Sequence, residues 1–272
     1  MLIKEPSFVM IDGRRMAYAE VSPPHPRGTV LLLAGAGARK FSWYKQLDVF
    51  GRTFRTIALD YRDTGDSDPY PQSYTIADLA DDAAFVLAAL GVPRAHVVGI
   101  SMGGFVGLQM ALRHPERVEK LVLVTTSATY TSISPALMAQ MSQIQQDQHL
   151  EAGERIVRVV ALVTAPNYFA THPEDRERAI ELARYRPMSQ EVSVRQMQAC
   201  MLYDVSEQLD RIQTPTLVVH GELDPSIAPE HGRFLAEHIK GARFLLYPNI
   251  GHLPIFECPE DFNRDVLAFL ES

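Results

Sequence analysis

The chain has 272 residues, a length for one large domain or for a domain carrying an insertion. With 46% hydrophobic and 22% charged residues it can bury roughly 75% of its unfolded surface, which excludes disordered and fibrous classes. Its 26 basic residues against 33 acidic ones, a net charge of −7, leave no electrostatic footprint for a phosphate backbone, so no nucleic-acid partner is expected.

The first residues, Met1-Leu-Ile-Lys-Glu-Pro6, lack the order of a secretory signal, and no apolar run approaches the ~20 residues of a membrane span. A cytoplasmic protein without a membrane partner is expected. Ser7 to Asp12 and Arg14 to Val21 then read as two strands around Asp12-Gly13, a dipeptide suited to the positive φ angles of a hairpin turn. After a Pro-rich connection, Thr29-Val-Leu-Leu-Leu-Ala34 is apolar without alternation, as in a strand buried on both faces. Similar runs recur at Thr53 to Leu59, Ala95 to Ile100, Val118 to Val124, Pro215 to His220 and Ala242 to Tyr247.

Helical stretches separate these runs at Phe41 to Phe50, Ile76 to Leu90, Met102 to Arg113, Pro229 to Ile239 and Pro259 to Leu270. The alternation predicts an α/β fold, a mostly parallel doubly wound sheet of about eight strands edged by the initial hairpin. One interval breaks the rhythm. From Ser127 to Ile212 there is no buried strand pattern, and Met138 to His149, Glu151 to Val163, Pro173 to Arg184 and Ser189 to Tyr203 carry helical spacing. The predicted organisation is therefore a core built from 1–126 and 213–272, with 127–212 a helical cap insertion at the end of the sheet.

Gly99-Ile-Ser-Met-Gly103 matches G-x-S-x-G between a strand and an apolar helix, where a nucleophile elbow must lie. A neutral serine hydroxyl needs a base to take its proton and a third group to orient that base. His220-Gly-Glu-Leu-Asp-Pro225 places Asp224 just past one later strand, and Asn249-Ile-Gly-His252 places His252 past the last. The order Ser101, Asp224, His252 is the one this kind of fold uses for a catalytic triad.

Along nearly its whole length the chain resembles the α/β-hydrolase superfamily. Besides the three loops, Asp60-Tyr-Arg-Asp-Thr-Gly-Asp-Ser-Asp68 is similar to the family's D-x-R-x-x-G-x-S loop, and Arg113-His-Pro-Glu-Arg-Val118 and the closing Pro-Glu-Asp-Phe262 are familiar in members with a helical cap. The stretch from Tyr74 to Val124 looks most like enol-lactonases, small-molecule esterases and cofactor-free perhydrolases. That resemblance implies an oxyanion hole made by the backbone N–H groups of Ala36 and Met102. The chain departs from the family where His-Gly is usual: it has Ala34-Gly35, followed by Ala36-Gly37-Ala38, so this loop must be anchored differently.

Other residues have plainer readings. Cys200 and Cys258 have no metal-ligand spacing and read as packed or incidental thiols. Asp60, Asp63, Asp66 and Asp68 lack the glycine and terminal glutamate of an EF-hand, so no metal is expected. His220 reads as structural, and Arg39 and Lys40 as solvated rather than anion-attracting. Tyr130, Met138, Met141, Tyr168 and Phe169, with Ile144, Val160 and Met197, are candidates to line a substrate pocket.

The expected protein is a serine carboxylic-ester hydrolase acting on small to medium esters or lactones, requiring no cofactor, as a monomer or homodimer. Enol-lactonase action, carbon–carbon bond hydrolysis of aromatic degradation, perhydrolysis and a receptor-like member with little turnover remain as alternatives.

Overall fold

The computed structural model describes residues 5–147, 149–185 and 187–272. Eight strands form one sheet: β1 (Ser7–Ile11), β2 (Arg14–Val21), β3 (Thr29–Leu33), β4 (Arg55–Leu59), β5 (Ala95–Ile100), β6 (Val118–Val124), β7 (Thr216–Gly221) and β8 (Arg243–Tyr247). Their spatial order is β1-β2-β4-β3-β5-β6-β7-β8. β1 and β2 form an antiparallel hairpin whose turn places Asp12 at φ 48° and Gly13 at φ 75°. β2 meets β4 antiparallel, and every pairing from β4 to β8 is parallel. The fold is thus the doubly wound α/β arrangement that the alternating pattern predicts.

The side-chain period of two divides the strand residues between two cores. Leu31, Leu33, Ile57, Leu59, Val97 and Leu121 face helices α2 (Ile76–Ala89), α3 (Met102–Arg113) and α9 (Pro229–His238). Val30, Leu32, Ala58, Val98, Val122 and Val219 face α1 (Tyr44–Phe50) and α11 (Pro259–Glu271). Because both faces are covered, β3, β5 and β7 are buried at every position, which explains their unbroken apolar runs.

Between β6 and β7 the chain is helical: α4 (Pro135–Gln146), α5 (Ala152–Val163), α6 (Tyr168–Thr171), α7 (Pro173–Arg184) and α8 (Gln190–Met201). The predicted start at Met138 moves back to Pro135, because Ser134 caps the helix by accepting from Leu137 N and proline suits the first turn. Residue 148, within the predicted Met138 to His149 helix, lies outside the described residues. The predicted Phe41 to Phe50 helix begins as a 3-10 turn, Lys40–Trp43. A short α10 (Pro254–Glu257) separates His252 from the last helix, where one uninterrupted loop was expected. Among the described residues no helix is long and apolar enough to cross a membrane.

Candidate active site

Ser101 joins β5 to α3 at φ 54°, ψ −119°, a conformation that costs a non-glycine residue strain of roughly 1–3 kcal/mol. The strain persists because the surroundings dictate the turn. Ser101 N donates to Val124 O at 2.9 Å, and Thr126 Oγ1 donates to Ser101 O at 2.8 Å. The flanking glycines are required by close backbone approach. A Cβ at Gly99 would stand 2.1 Å from Gly103 O, and one at Gly103 would stand 2.1 Å from Leu33 O. The turn thereby lifts the partly exposed serine past the end of the strand.

Asp224 follows β7 and His252 follows β8. His252 Nδ1 lies 2.7 Å from Asp224 Oδ2, with both side chains buried. The other carboxylate oxygen accepts from the backbone N–H groups of Ser226 and Ile227 at 2.8 and 3.0 Å. Burial by itself would raise the Asp224 pKa. The neighbouring His252 imidazole and hydrogen bonds from His220 and His252 overcome it, holding the carboxyl well below the usual carboxylate range. With Oδ2 an ionised acceptor, His252 Nδ1 carries the proton and Nε2 is left free to act as a base.

The His252 segment is tied to the elbow through Thr125, which follows β6: its Oγ1 donates to His252 O at 2.9 Å, while the preceding Val124 O receives Ser101 N. Ser101 Oγ has no hydrogen-bond partner among the described residues, and such contacts often tighten only when substrate is bound.

The N–H of Met102 opens α3 and that of Ala36 lies in the loop after β3; neither meets an acceptor among the described residues. Gly35 brings that loop against the elbow, since a Cβ added there would lie 3.9 Å from Ser101 Oγ. In the absence of the family's histidine, the loop is held by other means. Tyr61 Oη donates to Ala34 O at 3.1 Å, Lys40 N to Asp60 Oδ1 at 2.8 Å, and Gly37 N to Gln196 Oε1 of α8 at 2.9 Å.

Lys40 corrects the solvated reading. Its side chain is 1% exposed, and Nζ pairs with the buried carboxylates of Asp60 and Asp66, the latter at 2.6 Å. Arg39 is only partly exposed, and its buried Nε lacks a partner among the described residues. The acidic loop is structural: Asp60 and Asp66 hold Lys40, and Asp63 pairs with Arg195 of α8 at 2.7 Å. Among the described residues no group of three or more His, Cys, Asp or Glu side chains is arranged to hold a metal ion.

The proposed lining residues are spread across the helical segment. Tyr130 is half-buried and its hydroxyl meets Met197 Sδ at 3.3 Å; Met138, Met141 and Ile144 are half-buried on α4. Val160 is half-buried on α5. Tyr168 is buried, with its hydroxyl on Asp175 and on Phe256 O, and the ring of Phe169 lies 5.5 Å from it. Cys200 is buried, and burial pushes its thiol up to about 12. Sequence reasoning missed Gln196, which carries no motif and meets the loop only through a contact 159 residues away along the chain.

The fold and this constellation define an α/β hydrolase. The family described as "alpha/beta hydrolase fold" matches residues 28–259, and the chain belongs to it. It is 32% identical over 270 residues to the protein of Caulobacter sp. (strain K31) named "Putative carbamate hydrolase RutD", covering 96% of this chain and 97% of that one. Among solved structures, a hydrolase from Pseudomonas aeruginosa PA01 is 31% identical with a TM-score of 0.83, covering 98% of this chain and 99% of that one. The enol-lactonase from Burkholderia xenovorans LB400 shares the fold with a TM-score of 0.86 at 24% identity, over 98% of this chain and 100% of its own.

Proposed function

We propose that this hydrolase cleaves small to medium carboxylic esters or lactones through an acyl-enzyme on Ser101. The observation that carries the reading is the 2.7 Å contact between buried Asp224 and His252, on loops beside a strained Ser101. His252 Nε2 takes the proton as Ser101 Oγ bonds to the carbonyl carbon. Asp224 stabilises the imidazolium, and the N–H groups of Met102 and Ala36 receive the oxyanion. As the bond to the leaving alcohol breaks, His252 returns the proton to it. It then takes a proton from water, whose oxygen attacks the acyl carbon, and gives that proton back to Ser101 as the acid leaves. Residues 127–212 serve as the cap over this site.

A second reading, carbamate hydrolysis, is supported by the name of the Caulobacter relative. The same steps apply, with His252 protonating a nitrogen when the amine side leaves. The test is steady-state hydrolysis of p-nitrophenyl esters from acetate to decanoate, beside p-nitrophenyl carbamates, by wild type and Ser101→Ala. Multiple turnovers on esters that fall by several orders of magnitude in a folded variant support the esterase reading. Turnover confined to carbamates selects the second, and near-normal ester turnover by Ser101→Ala overturns the mechanism.

A further inference from the structure

Glu257 is the last residue of α10, and three backbone donors converge on its half-buried carboxylate. Oε2 accepts from Ala165 N at 2.7 Å and from Gly251 N at 2.9 Å, and Oε1 accepts from Leu253 N at 2.9 Å. Two of these N–H groups flank His252, one on each side. The side chain can bracket them because α10 is a single turn: Glu257 N donates to Leu253 O at 2.9 Å, which brings the residue back over the start of its own helix. The task demands an acceptor at both ends of the group. A carboxylate has one; an amide of the same size would turn its two hydrogens toward one set of these donors.

The backbone of His252 itself is held from two further sides. Its N–H donates to Val163 O, on the last residue of α5, at 2.7 Å, and its carbonyl accepts from Thr125 Oγ1 at 2.9 Å. The N–H groups of Gly251, His252 and Leu253 thus all end on acceptors. Gly251 is packed without clearance: a Cβ there would stand 2.7 Å from both Ala165 N and Val163 O, and a Cβ at Gly221 would stand 2.0 Å from Gly251 O. The segment is therefore wedged between the end of β7 and the end of α5. With the main chain fixed, the imidazole keeps only its side-chain rotations, and the 2.7 Å contact with Asp224 selects among them. Such fixing matters because a catalytic group has to be held within about 0.5 Å of its productive position by residues that do no chemistry themselves.

We propose that Glu257 is the positioning residue of the base: by accepting the N–H groups on either side of His252, it fixes the main chain from which the imidazole meets Asp224. The proposal rests on Ser101 and His252 acting as nucleophile and base. It deepens that reading by naming the residue that keeps the base in place, and it gives the short helix α10 a purpose, since that turn is what carries the carboxylate back to the histidine. Glu257 acts through the main chain of residues 251–253 and not on the substrate.

The experiment compares wild type with Glu257→Gln and Glu257→Asp. Glutamine keeps the size but replaces one acceptor by a donor; aspartate keeps both acceptors, withdraws them by one methylene, and decides the matter if the glutamine variant does not fold. On the p-nitrophenyl ester or carbamate that wild type turns over best, kcat and KM are measured, with kcat expressed per Ser101 labelled by a fluorophosphonate at completion so that unfolded protein does not count. Proton NMR follows the His252 Nδ1–H that meets Asp224. In the variants kcat should fall about tenfold or more while KM changes less than about twofold, because a misplaced base is felt in the transition state and not in substrate binding. The Nδ1–H resonance should shift or broaden with it, which loss of stability elsewhere would not produce. A folded variant with the wild-type kcat, or one whose kcat falls while that resonance stays as in wild type, overturns the role of Glu257 and leaves the Ser101 reading intact. A wild type that neither labels at Ser101 nor turns over any of these substrates overturns both.

Discussion

His220 and His252 converge on one carboxylate oxygen: Asp224 Oδ2 lies 2.7 Å from His252 Nδ1 and 3.3 Å from His220 Nε2. His220 is fully buried, and its Nε2 also lies 2.8 Å from Ile227 O. A carbonyl can only accept, so Nε2 carries the hydrogen, and His220 stands as a buried donor beside Asp224.

Asp224→Asn puts an amide where His252 needs an anionic acceptor. The preferred imidazole tautomer is lost, and kcat should fall by roughly 10⁴ while the protein remains folded. Stopped-flow or steady-state ester assays, with circular dichroism as the folding control, check this. A loss below tenfold would remove Asp224 from the catalytic set.

The same carboxyl sets an acid-stability window. Its folded pKa lies below the unfolded value of about 3.9, so its contribution is present above that value and is lost as pH falls toward the folded pKa. The stability gap between wild type and Asp224→Asn should therefore be widest near neutrality and shrink as pH drops from about 5 toward 3. Urea melts at several pH values measure it, and a gap that widens on acidification would contradict the sign.

Lys40→Met leaves Asp60 fully buried without the ammonium that pairs with it. Removing one partner of a buried ion network costs roughly 3–5 kcal/mol, far more than the loss of an exposed pair. Equilibrium denaturation should show a loss of that order. A variant as stable as wild type would return Lys40 to the solvated role read from the sequence.

Two glycine substitutions should separate close packing from backbone strain. Gly103→Ala drives a methyl to 2.1 Å from Leu33 O, a backbone atom that cannot give way, and should abolish the folded elbow. Gly37→Ala meets open space but holds φ at 76°, so it should cost about 1 kcal/mol. Thermal melts of both variants test the ordering.

Much of the architecture was legible in the residue pattern. Strands buried on both faces must be continuously apolar, and helices between them must carry 3.6-residue spacing, so the runs at Thr29, Ala95 and Val118 located the sheet to within a residue or two. Ser101, Asp224 and His252 stood out as candidates because each lies in the segment that leaves the end of a strand, and strand ends are where an α/β sheet presents chemistry. Short elements were not. The four-residue helices at Tyr168–Thr171 and Pro254–Glu257 are too brief for any periodicity to register.

Composition and local order thus determined the fold class, the positions of the strands and which three loops could host a triad, because those depend on interactions near in sequence or repeated along it. Only the tertiary structure decided what Lys40, His252 and Gln196 meet. Lys40 meets Asp60 across 20 residues, His252 meets Asp224 across 28, and Gln196 reaches Gly37 across 159. Whether a charged or amide side chain lies in water or spends its hydrogen bonds inside the protein is set by what the folded chain brings against it, and no local pattern carries that information.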